Sequence, residues 1–375
     1  MMNGTERNHT STNPTDRYSL VVGTIILTID LVFALVGVLG NILVCVVITR
    51  RANMKTSMNL YLRNLAITDL GVLIVNFPLS VYSIRSPSKG WVLGRFLCLY
   101  ISPGLDVFFG ASIWSITVIA IERYKNIISR KVFVKKVESS KRVTLKIVLI
   151  WLVSFAVVAA PLYPLFVYKR AKNSAYYDCY PIWPAFMNNF MFKAYAVSLA
   201  IFWYLLPLGI ITVTYWKISA QLRQSNTFHK TMHGEEAAKS KLFKEEERRR
   251  LKQNKKAQRI LTPLVVIFAV TILPLNMLRL LIAFMPEFNQ LDKNYYVLIH
   301  DLSVLLIVIN SSLDPCVYYL CSKEFRVGIK ALFSKKGNFL ESRDTMMQTT
   351  SNSHKTTTRS LLTAEVGTLA AESSM

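Results

Sequence analysis

Seven long apolar stretches dominate this chain, at Leu20 to Ile48, Leu60 to Ile84, Phe96 to Ile121, Val143 to Val167, Phe190 to Tyr215, Ile260 to Met285 and Tyr295 to Leu320. Each exceeds the roughly 20 residues that a helix needs to cross the hydrocarbon core of a bilayer. A soluble fold would have to bury all seven against one another, and the connecting segments are too short and too charged for that. The chain is 52% hydrophobic, which agrees with the clustering. The pattern predicts an all-α membrane protein, a seven-transmembrane helix bundle read as one domain over 19–321.

The net charge of +23 is unevenly placed. The loops after spans one, three and five carry three, seven (Lys125 to Arg142) and twelve (Arg223 to Arg259) Lys and Arg, against three, three and one after spans two, four and six. Cationic loops resist translocation, so the first set is expected in the cytosol and the amino end outside. The charge reports topology and gives no reason to expect nucleic acid. Residues 1–18 are polar and lack the apolar core of a signal peptide, so span one is expected to act as an uncleaved anchor. Asn3-Gly4-Thr5 and Asn8-His9-Thr10 are glycosylation acceptors in that outer segment. Cys98 and Cys179 both fall on the outer side, and a bridge between them would tie the long outer loop to the bundle.

Between spans five and six, 222–256 is a basic third cytoplasmic loop. After span seven, 322–333 alternates Phe325, Ile329, Leu332 and Phe333 with Lys323, Arg326 and Lys330, the pattern of a short amphipathic helix lying on membrane lipids. Residues 334–375 are polar and rich in Ser and Thr, and read as a disordered, phosphorylatable tail.

Ionisable groups inside a span need a partner or a task. Asp69 in span two, Ser112 in span three, and Asn310, Ser311 and Asp314 in span seven lie at comparable depth. They read either as an oxygen cage for a hard monovalent cation such as sodium, or as a packing network without an ion. Arg123, in Glu122-Arg123-Tyr124, sits where span three meets the cytosol, and by itself is equally a snorkelling interfacial arginine paired with Glu122. Pro207, Pro274 and Pro315 interrupt their spans near the middle, removing a backbone bond and permitting a kink.

Taken together these residues resemble the rhodopsin-like (class A) family of G-protein-coupled receptors. The resemblance is carried by Gly40-Asn41, Leu65-Ala66 with Asp69, Trp91 before Cys98, Glu122-Arg123-Tyr124, Trp151, Pro207 with Tyr215, Phe268 with Pro274, and Asp314-Pro315-Cys316-Val317-Tyr318 followed by Phe325. It implies a plasma-membrane receptor that signals without catalysis, the sixth span swinging outward to admit a heterotrimeric G protein. In that scheme Glu122, Arg123, Tyr124, Tyr215 and Tyr318 serve coupling, and Ile113, Pro207, Phe268 and Pro274 form the connector that repacks. The tail would serve receptor kinases and arrestin. Two positions depart from the pattern. Ile272 stands where the family usually has tryptophan, and Asn254 where some members carry an acid that locks the arginine. Glu122 is thereby left as the expected restraint on Arg123, with raised basal activity as the expectation.

Val308 stands where opsins carry the retinal lysine, and Leu105 where amine receptors carry an aspartate. Asp106 is one residue on, turned by about 100° around the helix. The outer helix ends instead mix Arg85, Asp106, Lys193, Arg279, His300 and Asp301 with aromatics such as Tyr163 and Tyr195, which suits a peptide engaging several subsites. The alternative is a small anionic ligand, a nucleotide or lipid acid, gathered by Arg279, Lys193 and His300. A seven-helix channel or transporter running past Asp69 and Asp314 is the remaining class, although the chain lacks internal repeats and a second ring of acids.

Overall fold

The computed structural model describes residues 14–51, 54, 56–85, 90–128, 139–170, 176–184, 189–231, 262–285 and 293–333. Among the described residues, seven helices are long and apolar enough to cross a membrane. They are α1 (Val21–Arg50), α2 (Ser57–Tyr82), α3 (Gly94–Lys125), α4 (Ser140–Ala159), α5 (Phe190–Ala220), α6 (Thr262–Phe284) and α7 (Tyr295–Cys321). An eighth, α8 (Lys323–Phe333), follows directly. Helices satisfy every backbone donor and acceptor internally, the condition for residence in hydrocarbon. The helix that holds α1 begins at Pro14, inside the polar segment that precedes span one. Asn3, Asn8, Asn254, most of the third loop and the tail from 334 onward lie outside the described residues.

The boundary of span four requires correction. Hydropathy extended it to Val167, but the helix ends at Ala159 and Phe166–Arg170 forms a strand, β1. Pro161 and Pro164 bar a continuing helix, and the β-branched and aromatic residues that follow pair in the sheet instead. Strand β1 runs antiparallel to β2 (Tyr177–Pro181), with Tyr168 opposite Cys179. Cys179 is joined to Cys98 on α3 by the expected disulfide. The Tyr168 and Tyr177 rings stack at 4.5 Å, and Trp91 donates its backbone N–H to the Tyr177 carbonyl. The hairpin therefore caps one end of the bundle, here termed the disulfide end. Arg123 lies toward the opposite end.

Four spans contain a wide π-turn, at Val72–Asn76, Leu97–Ile101, Phe155–Ala159 and Ile201–Leu205. Each ends two residues before a proline: Pro78, Pro103, Pro161 and Pro207. A proline neither donates to the carbonyl four residues back nor leaves room for it. That carbonyl belongs to Ile74, Leu99, Val157 or Trp203, in every case the central residue of the π-turn. The extra residue per turn lets the chain swing the orphaned carbonyl away from the pyrrolidine ring. Pro315 is accommodated differently, since α7 runs through it as α-helix. Its orphaned carbonyl, on Ser311, accepts a hydrogen bond from the Asn41 side-chain amide of α1 at 3.0 Å. That bond pins α1 along α7 at the level of the kink.

Polar side chains tie the remaining helices. Asn64 on α2 donates to Ser115 on α3 at 2.8 Å and accepts from the Trp151 indole of α4 at 3.0 Å. Helix α8 is initiated by the Ser322 hydroxyl, which accepts the Phe325 N–H. Phe325 is buried and edge-on to Tyr318, while Gly328 lies so close to Val47 of α1 that a Cβ would approach it to 2.6 Å. Arg326 reaches back to the Tyr319 and Leu320 carbonyls at the end of α7. Val327 and Phe333 remain exposed on α8.

Candidate functional site

Three groups of functional side chains lie along the bundle, beginning with the buried acids at its centre. Asp69 and Asp314 are almost fully buried, and each carboxyl lies against the other. Ser112 on α3 donates to Asp69 Oδ1 at 3.2 Å, and Ser311 lies beside it. Among the described residues, Oδ2 of both acids has no hydrogen-bond donor. Two carboxyl groups in one dry site require a compensating proton or cation. Four of the five residues anticipated for this cluster are thus brought together. Asn310 is adjacent but aims its amide at the Thr271 hydroxyl of α6, 2.8 Å away. The cluster thereby joins α2, α3 and α7 and reaches α6 through Asn310.

At the arginine end the expected restraint is absent. Glu122 accepts from Lys146 of α4 at 2.7 Å and from Lys125, one turn on, at 3.4 Å. Among the described residues it makes no ion pair with Arg123. Sequence adjacency suggested that pairing, but neighbouring residues on a helix point in different directions, whereas Lys146 faces Glu122 across the α3–α4 seam. Arg123 lies beside the Tyr215 side chain of α5. The Tyr318 hydroxyl of α7 is buried without a partner among the described residues. Tyr124 receives the Lys217 ammonium over its ring at 5.6 Å.

Between these levels, Ile113, Pro207 and Phe268 are all buried, and Ile113 and Phe268 pack in one cluster with Ile272, Phe109 and Trp203. Helix α6 continues through Pro274, and one turn before it the Ala269 carbonyl accepts the Tyr204 hydroxyl of α5 at 3.1 Å. Ile272 is fully buried, so the position holds an aliphatic plug instead of an indole.

Toward the disulfide end, Arg279 of α6 donates to Asp106 Oδ2 of α3 at 2.8 Å. Asn76 of α2 donates to the other oxygen, Asp106 Oδ1, at 3.2 Å. The Arg279 guanidinium lies 4.6 Å from the centre of the Trp203 ring of α5. His300 of α7 is close enough to feel both charges, and its Nδ1 is buried without a partner among the described residues. Asp106, Arg279 and His300 therefore come together, whereas the anticipated convergence of Arg279 and His300 was with Lys193, and Asp301 is buried on α7. The remaining candidates have other partners, although Tyr195 also lies close enough to feel Asp106 and Arg279. Tyr163 donates to the Tyr100 carbonyl, Tyr195 donates to the Val158 carbonyl, and Lys193 lies over the Phe284 ring at 5.9 Å. The Arg85 side chain is outside what the structure describes. Sequence reading missed Trp203, Asn76 and Lys146. Only Trp203 carries a signal, since it precedes Pro207 by four residues and so owns the carbonyl that the proline orphans.

Residues 40–318 match the family model described as 7 transmembrane receptor (rhodopsin family). The chain belongs to that family. This receptor is 30% identical to neuromedin-U receptor 2 of Mus musculus over 319 residues, 82% of this chain and 75% of the relative. It is 30% identical to galanin receptor type 1 of Rattus norvegicus, covering 81% and 80% of the two chains. With the thyrotropin-releasing hormone receptor of Gallus gallus it shares 28% identity over 88% and 85%. As a G-protein-coupled receptor of this family it is a signalling protein and not an enzyme, which removes the channel and transporter reading.

Proposed function

We propose that this receptor binds an extracellular peptide at the disulfide end and activates a heterotrimeric G protein at the arginine end. The observation that carries the ligand class is that relatives matching over most of the chain are named for neuromedin U, galanin and thyrotropin-releasing hormone. The local chemistry supports it. Asp106 and Arg279 offer an acceptor and a donor side by side, which suits the mixed polarity of a peptide. The anionic-ligand reading loses its basis, because Arg279 is already neutralised by Asp106 and Lys193 is turned onto Phe284.

Activation in this reading follows from the placement of the pair. A peptide that competes for Asp106 or Arg279 acts on α3 and α6 together, and its differential affinity for the two arrangements sets the population shift. Movement of α6 about Pro274 would repack Ile113, Pro207 and Phe268 and open the cleft beside Arg123, Tyr215 and Tyr318. Asp69, Ser112, Ser311 and Asp314 fit a sodium ion, which would offset one carboxylate charge while a proton on the other acid offsets the second. The charge asymmetry of the loops supports an orientation with the amino end outside and the carboxyl end in the cytosol, and the receptor reading implies the plasma membrane. Asn3 and Asn8 are then accessible to glycosylation, and the tail to receptor kinases and arrestin.

Cells expressing the full chain should be screened with a neuropeptide library, nucleotides and fatty acids in parallel, reading calcium and cyclic AMP. Responses confined to peptides are expected. A response only to nucleotides or fatty acids would overturn the ligand class.

A further inference from the structure

Trp203 occupies a position that calls for explanation. An indole on a lipid-bathed helix is most at home at the headgroup level, where its N–H meets water. Here the side chain is completely buried, and its Nε1 has no acceptor among the described residues. Two local features admit it. The π-turn Ile201–Leu205, forced by Pro207, has Trp203 at its centre. Gly110 on α3 leaves the necessary slot, since a Cβ there would lie 2.9 Å from Trp203 Nε1 and 3.3 Å from Ser154 Oγ. A side chain at 110 would force the indole to shift from this seat.

The slot fixes the ring as well as admitting it. Phe109 meets the indole edge to face, with centroids 5.1 Å apart and planes at 88°. Arg279 lies over the ring at 4.6 Å from its centre, within cation–π range, and such contacts strengthen when water is excluded. Asp106 then holds the same guanidinium through Nη2 at 2.8 Å, itself fixed by Asn76. Nη1 is buried with no acceptor among the described residues. A guanidinium held by a ring on one side and a carboxylate on another presents its remaining donor in a single orientation.

We propose that Trp203, seated in the slot left by Gly110, is a positioning residue for ligand recognition, holding the Arg279 guanidinium against Asp106 in the one orientation that a ligand competing for this pair meets. The functional meaning of this assignment rests on the receptor reading given above, but its geometry is testable without a ligand.

The test uses the full chain in detergent micelles with ¹⁵N-labelled arginine, following the guanidinium Nε–H resonance that disappears in Arg279→Lys. In the unaltered receptor that resonance is displaced upfield by the indole ring current. Trp203→Leu should return it to the bulk of the arginine signals, Trp203→Phe should retain part of the displacement, and Gly110→Ala should alter the displacement by moving the indole. A resonance that stays in place in Trp203→Leu would overturn the proposal. Size-exclusion profiles establish that each variant is folded. If Trp203→Leu does not fold, the other two decide, and an Arg279 resonance unmoved by Gly110→Ala overturns the assignment. Failure of the peptide screen would leave these shifts untouched.

Discussion

Lys146 of α4 holds the Glu122 carboxylate at 2.7 Å, and the neighbouring Arg123 is left to Tyr215. The acid that sequence adjacency assigned to Arg123 is thereby committed across a different seam. Removing the ammonium should release Glu122 toward the arginine and favour the resting state. Lys146→Met is expected to lower ligand-independent nucleotide exchange by about fivefold, the size of a coupling free energy near 1 kcal/mol. GTPγS binding to membranes at matched receptor levels measures this, and an unchanged or increased basal rate would count against the role given to Lys146.

Arg123 itself is expected to act only at the coupling end. Arg123→Ala should leave binding of a peptide agonist intact while abolishing agonist-stimulated nucleotide exchange. Normal exchange at normal surface expression would refute the assignment.

The Asp69 and Asp314 pair leads to a cation dependence. If sodium compensates one of the two carboxylates, replacing choline chloride by sodium chloride should raise the thermal midpoint of the purified receptor. The gain is about 1.4 kcal/mol when sodium is about ten times its dissociation constant. Asp69→Asn should abolish the difference between the two salts. A sodium effect that survives in Asp69→Asn would place the ion elsewhere.

Asn41 and Pro315 form a compensating pair. Asn41→Leu strands the Ser311 carboxamide carbonyl in the membrane interior and should destabilise the receptor by about 1–3 kcal/mol. In a Pro315→Ala background the restored N–H can reclaim that carbonyl, so the same change at Asn41 should cost markedly less. Thermal unfolding of the four combinations in detergent gives the coupling, and purely additive effects would sink the explanation.

The architecture was legible because hydropathy over some 20 residues is a strong and local signal. The buried acids and the disulfide were legible for a related reason, since a carboxylate in a span or a cysteine beside the outer loop stands out from its surroundings. Span four shows the limit of that signal. Phe166 and Val167 are as apolar as the helix before them, and only Pro161 and Pro164 mark that the chain has left it. Lys146 was invisible because a lysine near a helix end is an ordinary snorkelling residue until the facing helix is known. Trp203 and Arg279 illustrate a second limit. Their contact depends on how α5 and α6 are rotated about their axes, and the π-turn before Pro207 changes that rotation by an amount that an ideal 3.6-residue period does not contain.

That last feature bears on any attempt to exchange parts with related receptors. Each π-turn inserts about one residue, so the side chains on its two sides are out of phase by about 100° relative to an uninterrupted helix. A chimera that joins the disulfide-end half of α5 to a partner without a proline at the place of Pro207 would turn that half like a misindexed gear. Trp203 would then face hydrocarbon, although every residue of the graft had been kept. Alignment of such grafts has to count turns, not residues.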